Sequence, residues 1–161
     1  MRQLSEQQIA LLKPRSATLK IICLVLIGGL LFATVLFCLM TDWQNISTEL
    51  SLLPLLGVGF GLGSIVASLI VPSMMAANLT DHQSSAFTDE LMPIFALFQS
   101  KTIIRYALLE GAGFFNALMF RIENNCMSLG VVAVLLSIML LTIPSENKII
   151  SWIEEKLPDG K

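Results

Sequence analysis

The chain has 161 residues, of which 55% are hydrophobic and 14% are charged, and its formal net charge is -2. A mean hydropathy of +0.77 is too high for a water-soluble domain of this length, so the composition indicates a lipid bilayer as the solvent. The near-neutral charge and the lack of a basic run argue against nucleic acid as a partner, because few side chains would neutralise its phosphates.

Four segments are long and apolar enough to form transmembrane helices, each of which needs about 20 residues. In chain order they are residues 21–40, 52–77, 102–120 and 126–143. The sequence therefore predicts an all-α fold, in which residues 1–161 form a single membrane domain built on a bundle of four transmembrane helices. The first segment exceeds the 7–15 apolar residues of a secretory signal peptide, so we expect an uncleaved span.

Short amphipathic helices are predicted at both ends of the chain, lying in the membrane interface. The first covers residues 4–12 and is expected to stop at Pro14. The second covers residues 146–157, with isoleucines on one face, Ser145 as its cap and Trp152 at the headgroup boundary. Both are interpreted as helices that lie on the membrane.

The connection between the second and third spans allows two interpretations. Its first part, Asn78 to Ser85, is polar and typical of a turn, but apolar residues then recur at near-helical spacing on both sides of Pro93. Either a short amphipathic helix lies at the cytoplasmic interface, or the third helix begins near Pro93 and projects from the bilayer. The second interpretation gives a helix of about 42 Å at 1.5 Å per residue.

The distribution of lysine and arginine predicts the orientation. Nine of the ten basic residues lie on one side, either before the first span, at the lead-in to the third span (Lys101 and Arg105) or after the fourth span, and only Arg121 lies on the other side. By the positive-inside rule, both termini are expected in the cytoplasm and the protein in the inner (plasma) membrane.

The second span contains glycine at every second position: Gly57, Gly59, Gly61 and Gly63. Helical spacing places Gly57 with Gly61 on one face and Gly59 with Gly63 on another. Small residues allow membrane helices to approach closely, so this span is predicted to pack tightly on more than one side. A phosphate-binding loop would need a preceding strand, which the sequence does not provide.

Glu110 lies near the middle of the third span. An acidic side chain at the bilayer centre costs roughly 2.5–3.5 kcal/mol, so such a helix usually turns it toward protein, water or an ion. Tyr106, Gly113 and Ala117 share its helical face, which predicts a sheltered pocket with Glu110 and Tyr106 as candidate ion-binding residues and Gly113 as a packing residue. Arg105 lies on a different face and is expected to extend to the cytoplasmic headgroups.

Asn116 points away from Glu110, and we expect another helix to satisfy its hydrogen bonds. The chain contains no histidine within a span, no set of metal ligands and no glycine-serine nucleophile motif. We therefore predict no metal site, no cofactor and no enzymatic activity.

The alternating glycines of the second span, followed by Ala107-Leu108-Leu109-Glu110-Gly111 in the third, resemble the proteolipid c subunit of rotary ATPases. The resemblance covers about residues 55–120. It implies that the glycine helix packs into the inner ring of an oligomer and that Glu110 carries a proton or sodium ion. Residues 99–116 also look like a segment of uncharacterised bacterial multi-pass membrane proteins.

Three functions follow as hypotheses. The first expectation is a non-catalytic subunit or scaffold of a membrane assembly, whose partners are the lipid bilayer and other membrane subunits or further copies of the chain. The second is an ion-binding or ion-translocating subunit like the c subunit. The third is a small proton-coupled transporter that uses Glu110.

Overall fold

The computed structural model describes residues 4–48, 51–82 and 91–156, of which residues 75–82 are described by their backbone alone. These ranges are all-α, as predicted. The helices are α1 (Glu6–Met40), α2 (Leu52–His82), α3 (Leu91–Glu123), α4 (Cys126–Leu141) and α5 (Glu146–Lys156), with a turn of 3-10 helix at Trp43–Asn45.

Three of these helices are long and apolar enough to cross a membrane, namely α1, α2 over Leu52–Met74, and α3. The 16 residues of α4 extend only about 24 Å, which is short of a hydrocarbon core of about 30 Å. Together with α5, which meets it at 69°, α4 forms a fourth candidate span. The helix α3 contacts each of the other four helices and is the centre of the bundle.

The predicted break at Pro14 is wrong, because α1 runs through it without interruption. Ser5 caps this helix: its side-chain hydroxyl accepts a hydrogen bond from the backbone N–H of Gln8, and its own backbone N–H donates to Oε1 of Gln8, which completes a capping box. Pro14 removes one backbone hydrogen bond of the helix. Leu12 and Leu19, on either side of it, are buried in the bundle, so packing offsets that loss.

The connection between the second and third spans is shorter than predicted. The helix α2 continues to His82, so the first half of the expected turn at residues 78–85 is helical, and residues 83–85 lie outside the described residues. The helix α3 begins at Leu91, which agrees with the second interpretation. Pro93 falls in the first turn, where its missing N–H leaves no helical bond unmade, and 33 residues extend about 50 Å.

The C-terminal helix α5 forms where it was predicted, but its apolar face does not lie on lipid. Ile149 and Ile153 are buried against α1 and α3. The backbone N–H of Leu4 donates to Oε1 of Glu154 at 3.2 Å, so the beginning of α1 and the whole of α5 lie at the same end of the bundle. Leu157, the last residue of the predicted helix, lies outside the described residues.

The two interhelical connections at the opposite end of the bundle pair with each other. The backbone N–H of Ser47 donates to the carbonyl of Asn124 at 3.0 Å, and the N–H of Cys126 donates to the carbonyl of Ser47 at 3.3 Å. Asn124 has φ of 50°, in a region that asparagine adopts more readily than most residues. These contacts fix the α1–α2 connection to the start of α4.

Candidate functional site

The polar residues of α3 point to three different helices. Tyr106 bonds to α4 and Asn116 bonds to α2, whereas Glu110 lies against α1. The structure therefore does not gather them into one pocket. Helical periodicity explains the separation, because the fully buried face of α3 is centred on Leu109 and Asn116 and Glu110 lies at its edge.

Glu110 is half-buried at the boundary between α3 and α1. Its carboxylate Oε1 lies 3.2 Å from the position that a Cβ atom would take at Gly29, so the absence of a side chain there leaves room for the carboxylate. Within the described residues, no hydrogen bond or ion pair reaches this carboxylate. The helix that lies beside this carboxylate is α1.

Tyr106 is almost fully buried, with 1% of its surface exposed. Its hydroxyl donates to the carbonyl of Met139 in α4 at 2.7 Å and accepts a longer hydrogen bond from the hydroxyl of Thr142 at 3.4 Å. Although Tyr106 lies one turn from Glu110, its hydroxyl is committed to the last turn of α4. Its observed contacts hold α4 against α3 and do not include the Glu110 carboxylate.

Asn116 makes a buried interhelical hydrogen bond. Its Nδ2 donates to the carbonyl of Gly57 in α2 at 3.0 Å and to the carbonyl of Ala112 in its own helix at 2.9 Å. For the amide N–H, this confirms the expectation that another helix supplies a hydrogen-bond partner to Asn116. Two buried oxygens nearby, Oδ1 of Asn116 and the hydroxyl of Ser128 in α4, have no hydrogen-bond partner within the described residues.

This polar cluster of Asn116, Gly57 and Ser128 was not recognised as a unit from the sequence. The position that a Cβ would take at Gly57 lies 2.6 Å from Oδ1 of Asn116 and 3.8 Å from the hydroxyl oxygen of Ser128. Any side chain at Gly57 would collide with the amide. The sequence feature that could have indicated this cluster is a glycine and an asparagine at similar depth in consecutive spans, since a small residue lets a polar side chain of the next helix reach the backbone.

The two glycine faces of α2 have different surroundings. Gly57 packs on Asn116 of α3, and a Cβ at Gly61 would lie 2.6 Å from Cγ1 of Val131 in α4. By contrast, among the described residues a Cβ at Gly59 or Gly63 would meet nothing within 4 Å. The described part of the chain thus makes the tight packing expected on two sides of α2 on one side only. The remaining predicted packing residue, Gly113, lies against the side chain of Leu30 in α1.

The open glycine face forms one wall of a groove between α2 and α3, which we call the α2–α3 groove. Its volume is about 440 Å³. The groove is lined by Gly59, Phe60, Gly63, Ser64, Ala67, Ala107, Leu108, Gly111 and Ala112. Because most of these side chains are small, the two backbones are accessible from outside the bundle.

The described residues contain no group of three histidine, cysteine, aspartate or glutamate side chains close enough to hold a metal ion. Comparisons with protein-family models, with curated proteins and with solved structures find no match to this chain. The resemblance to the c subunit stays a prediction.

Proposed function

We propose that this chain is a non-catalytic subunit or scaffold of a membrane assembly, a multi-pass protein of the inner membrane with both termini in the cytoplasm. The observation that supports this function is the open glycine face of α2. A Cβ at Gly57 or Gly61 would collide with α3 or α4, whereas a Cβ at Gly59 or Gly63 would meet nothing within 4 Å among the described residues.

Glycine within a helix costs about 1 kcal/mol relative to alanine. At Gly57 and Gly61 the close approach of α3 and α4 offsets this cost. At Gly59 and Gly63 the corresponding contact must come from outside the described bundle. Since apolar helices in lipid associate through close packing at small residues, the proposed occupant of the α2–α3 groove is a transmembrane helix of another subunit.

The proposed orientation rests on the position of the basic residues. The described end of the bundle formed by the start of α1 and by α5 carries Lys13, Arg15, Lys101, Arg105 and Lys148. The opposite end carries Arg121 in the last turn of α3. Under the positive-inside rule, the first of these ends faces the cytoplasm.

The test is the size of the assembly that contains this chain. The full-length protein, tagged and extracted from its native membranes in a mild detergent, is expected to elute as a complex with other membrane proteins. Gly63→Leu fills the α2–α3 groove and should release the chain from the complex. Gly28→Leu is the matched control, because a Cβ at Gly28 of α1 also meets nothing within 4 Å in the described part of the chain.

An unchanged complex in the Gly63→Leu variant would contradict the proposed use of the groove. A wild-type chain that elutes alone would contradict the scaffold function itself. A complex that contains only copies of this chain would keep the groove as an interface but would identify the partner as a second copy.

A second candidate function is ion binding by Glu110, as in the c subunit. The observation that favours it is the half-buried carboxylate without a hydrogen-bond partner in the described part of the chain. An ion carrier should react with dicyclohexylcarbodiimide at Glu110 in membranes, and sodium or high pH should suppress the reaction. If the carboxylate has no such role, Glu110→Gln should preserve the complex, and a folded wild-type protein should resist the reagent.

A further inference from the structure

A cavity of about 290 Å³ lies at the junction between the end of α4 and the start of α5. Its walls carry three cationic side chains, Lys101 and Arg105 from α3 and Lys148 from α5. Two aromatic rings, Phe98 and Trp152, close one side, with their centroids 5.2 Å apart. The described residues that line this basic cavity include no carboxylate.

The positive charge of the basic cavity is not neutralised within the described bundle. Nε of Arg105 is buried and has no hydrogen-bond partner there. None of the three carboxylates of α5 lines the basic cavity. Glu154 accepts a hydrogen bond from the N–H of Leu4, and Glu146 lines a separate crevice against α1. The side chain of Glu155 is exposed. An unpaired buried guanidinium donor is costly, which indicates an anionic partner.

The chemistry of these side chains fits a phosphate group. A guanidinium presents parallel N–H donors that match two phosphate oxygens, and lysine adds a mobile positive charge. A volume of about 290 Å³ is close to the lower end of ligand pockets, about 300 Å³, and suits a small anionic group.

We propose that the basic cavity binds a phosphate group, supplied by an anionic lipid headgroup or by phosphate in solution. The inference goes beyond the scaffold function and does not depend on it. The position of the cavity agrees with a lipid source, because aromatic residues and basic pockets between transmembrane helices typically lie at headgroup level. It also gives Arg105, which the sequence predicts to reach the headgroups, a defined binding position.

The chain contains two tryptophans, and one of them, Trp152, lines the cavity. The other, Trp43, is 55% exposed and lies at the opposite end of the bundle, against Phe120. Full-length protein with Trp43→Phe therefore reports on Trp152 alone. The protein in non-ionic detergent and phosphate-free buffer is titrated separately with inorganic phosphate, short-chain phosphatidylglycerol and short-chain phosphatidylcholine. Trp152 fluorescence and the midpoint of thermal unfolding are measured at each concentration.

A saturable change is expected with phosphatidylglycerol and not with phosphatidylcholine. Saturation by inorganic phosphate as well supports a site for phosphate from solution, whereas saturation by phosphatidylglycerol alone identifies the lipid headgroup as the source. Arg105→Gln should weaken the binding by about tenfold or more, since a hydrogen bond to a charged group is lost. Arg105→Lys should weaken it less, because the charge remains while the fork of donors is lost.

Arg15→Gln is the matched control, because Arg15 is exposed on α1 and does not line the cavity. Lys148→Gln changes an exposed position of α5 and provides a second test if Arg105→Gln fails to fold. The proposal is overturned if neither phosphate nor phosphatidylglycerol gives a saturable response in fluorescence or in unfolding. It is also overturned if the folded Arg105→Gln and Lys148→Gln variants respond like the wild type.

Discussion

Glu110 and Gly29 meet where α3 crosses α1, with the carboxylate Oε1 3.2 Å from the position of a Cβ at Gly29. This separation is shorter than ordinary van der Waals contact, so a Cβ at position 29 would require the carboxylate to shift by a few tenths of an ångström. This contact makes a glycine of α1, outside the glycine-rich helix, the residue that accommodates the acidic side chain.

The contact predicts energetic coupling between the two residues. Gly29→Val should lower the free energy of unfolding by about 1–3 kcal/mol, because the new methyl groups collide with the carboxylate. The loss should be smaller in a Glu110→Ala background, where the colliding atoms are absent, with a coupling energy of about 0.5–3 kcal/mol. Thermal unfolding of the purified protein and its variants in detergent measures both values.

Gly28→Val is the control, since a Cβ at Gly28 meets none of the described residues within 4 Å. It should leave the midpoint close to that of the wild type in both backgrounds. Equal losses from Gly29→Val with and without the Glu110 side chain would show that the two residues do not touch.

A second prediction concerns the hydrogen bond between Asn116 and Gly57. Gly57→Ala places a methyl group 2.6 Å from Oδ1 of Asn116, so the amide must move away from the Gly57 carbonyl. The expected loss in the free energy of unfolding is about 1–3 kcal/mol. Gly59→Ala adds the same methyl group on the open face and should be neutral or stabilising by up to about 1 kcal/mol. Variants of equal stability would rule out the observed packing of α2 on α3.

A third prediction concerns the anchor between α3 and the end of α4. Tyr106→Phe removes the hydroxyl that donates to the Met139 carbonyl but keeps the ring. The expected destabilisation is about 0.5–1.5 kcal/mol, because a buried neutral hydrogen bond is lost. Ser137→Ala removes an exposed hydroxyl of α4 that bonds within its own helix, and its effect should be smaller. A larger effect at Ser137 would contradict the anchoring role of Tyr106.

The sequence predicted which faces of α3 matter but not which helix covers each face. Periodicity places Glu110 and Asn116 on different faces, and both faces are used. The identity of the neighbouring helix depends on how five helices pack together, which local spacing does not encode. For this reason the sequence alone did not predict that Gly29 of α1 is the neighbour of Glu110.

Predictions from local sequence were also wrong where packing against other helices opposes the local preference. Pro14 was predicted to end a short helix, but burial of Leu12 and Leu19 keeps α1 continuous. The apolar face of α5 has the pattern of a helix on lipid, yet α1 and α3 cover its isoleucines. A hydrophobic face indicates that something apolar covers it, and the pattern is the same for lipid and for protein.

Photo-crosslinking in native membranes tests whether a helix of another subunit occupies the α2–α3 groove. A diazirine side chain is placed at position 108, where Leu108 lines the groove, and separately at position 24, where Leu24 is exposed on α1. The proposed function predicts a protein adduct from position 108 and only lipid adducts from position 24. Lipid adducts alone from both positions would contradict it.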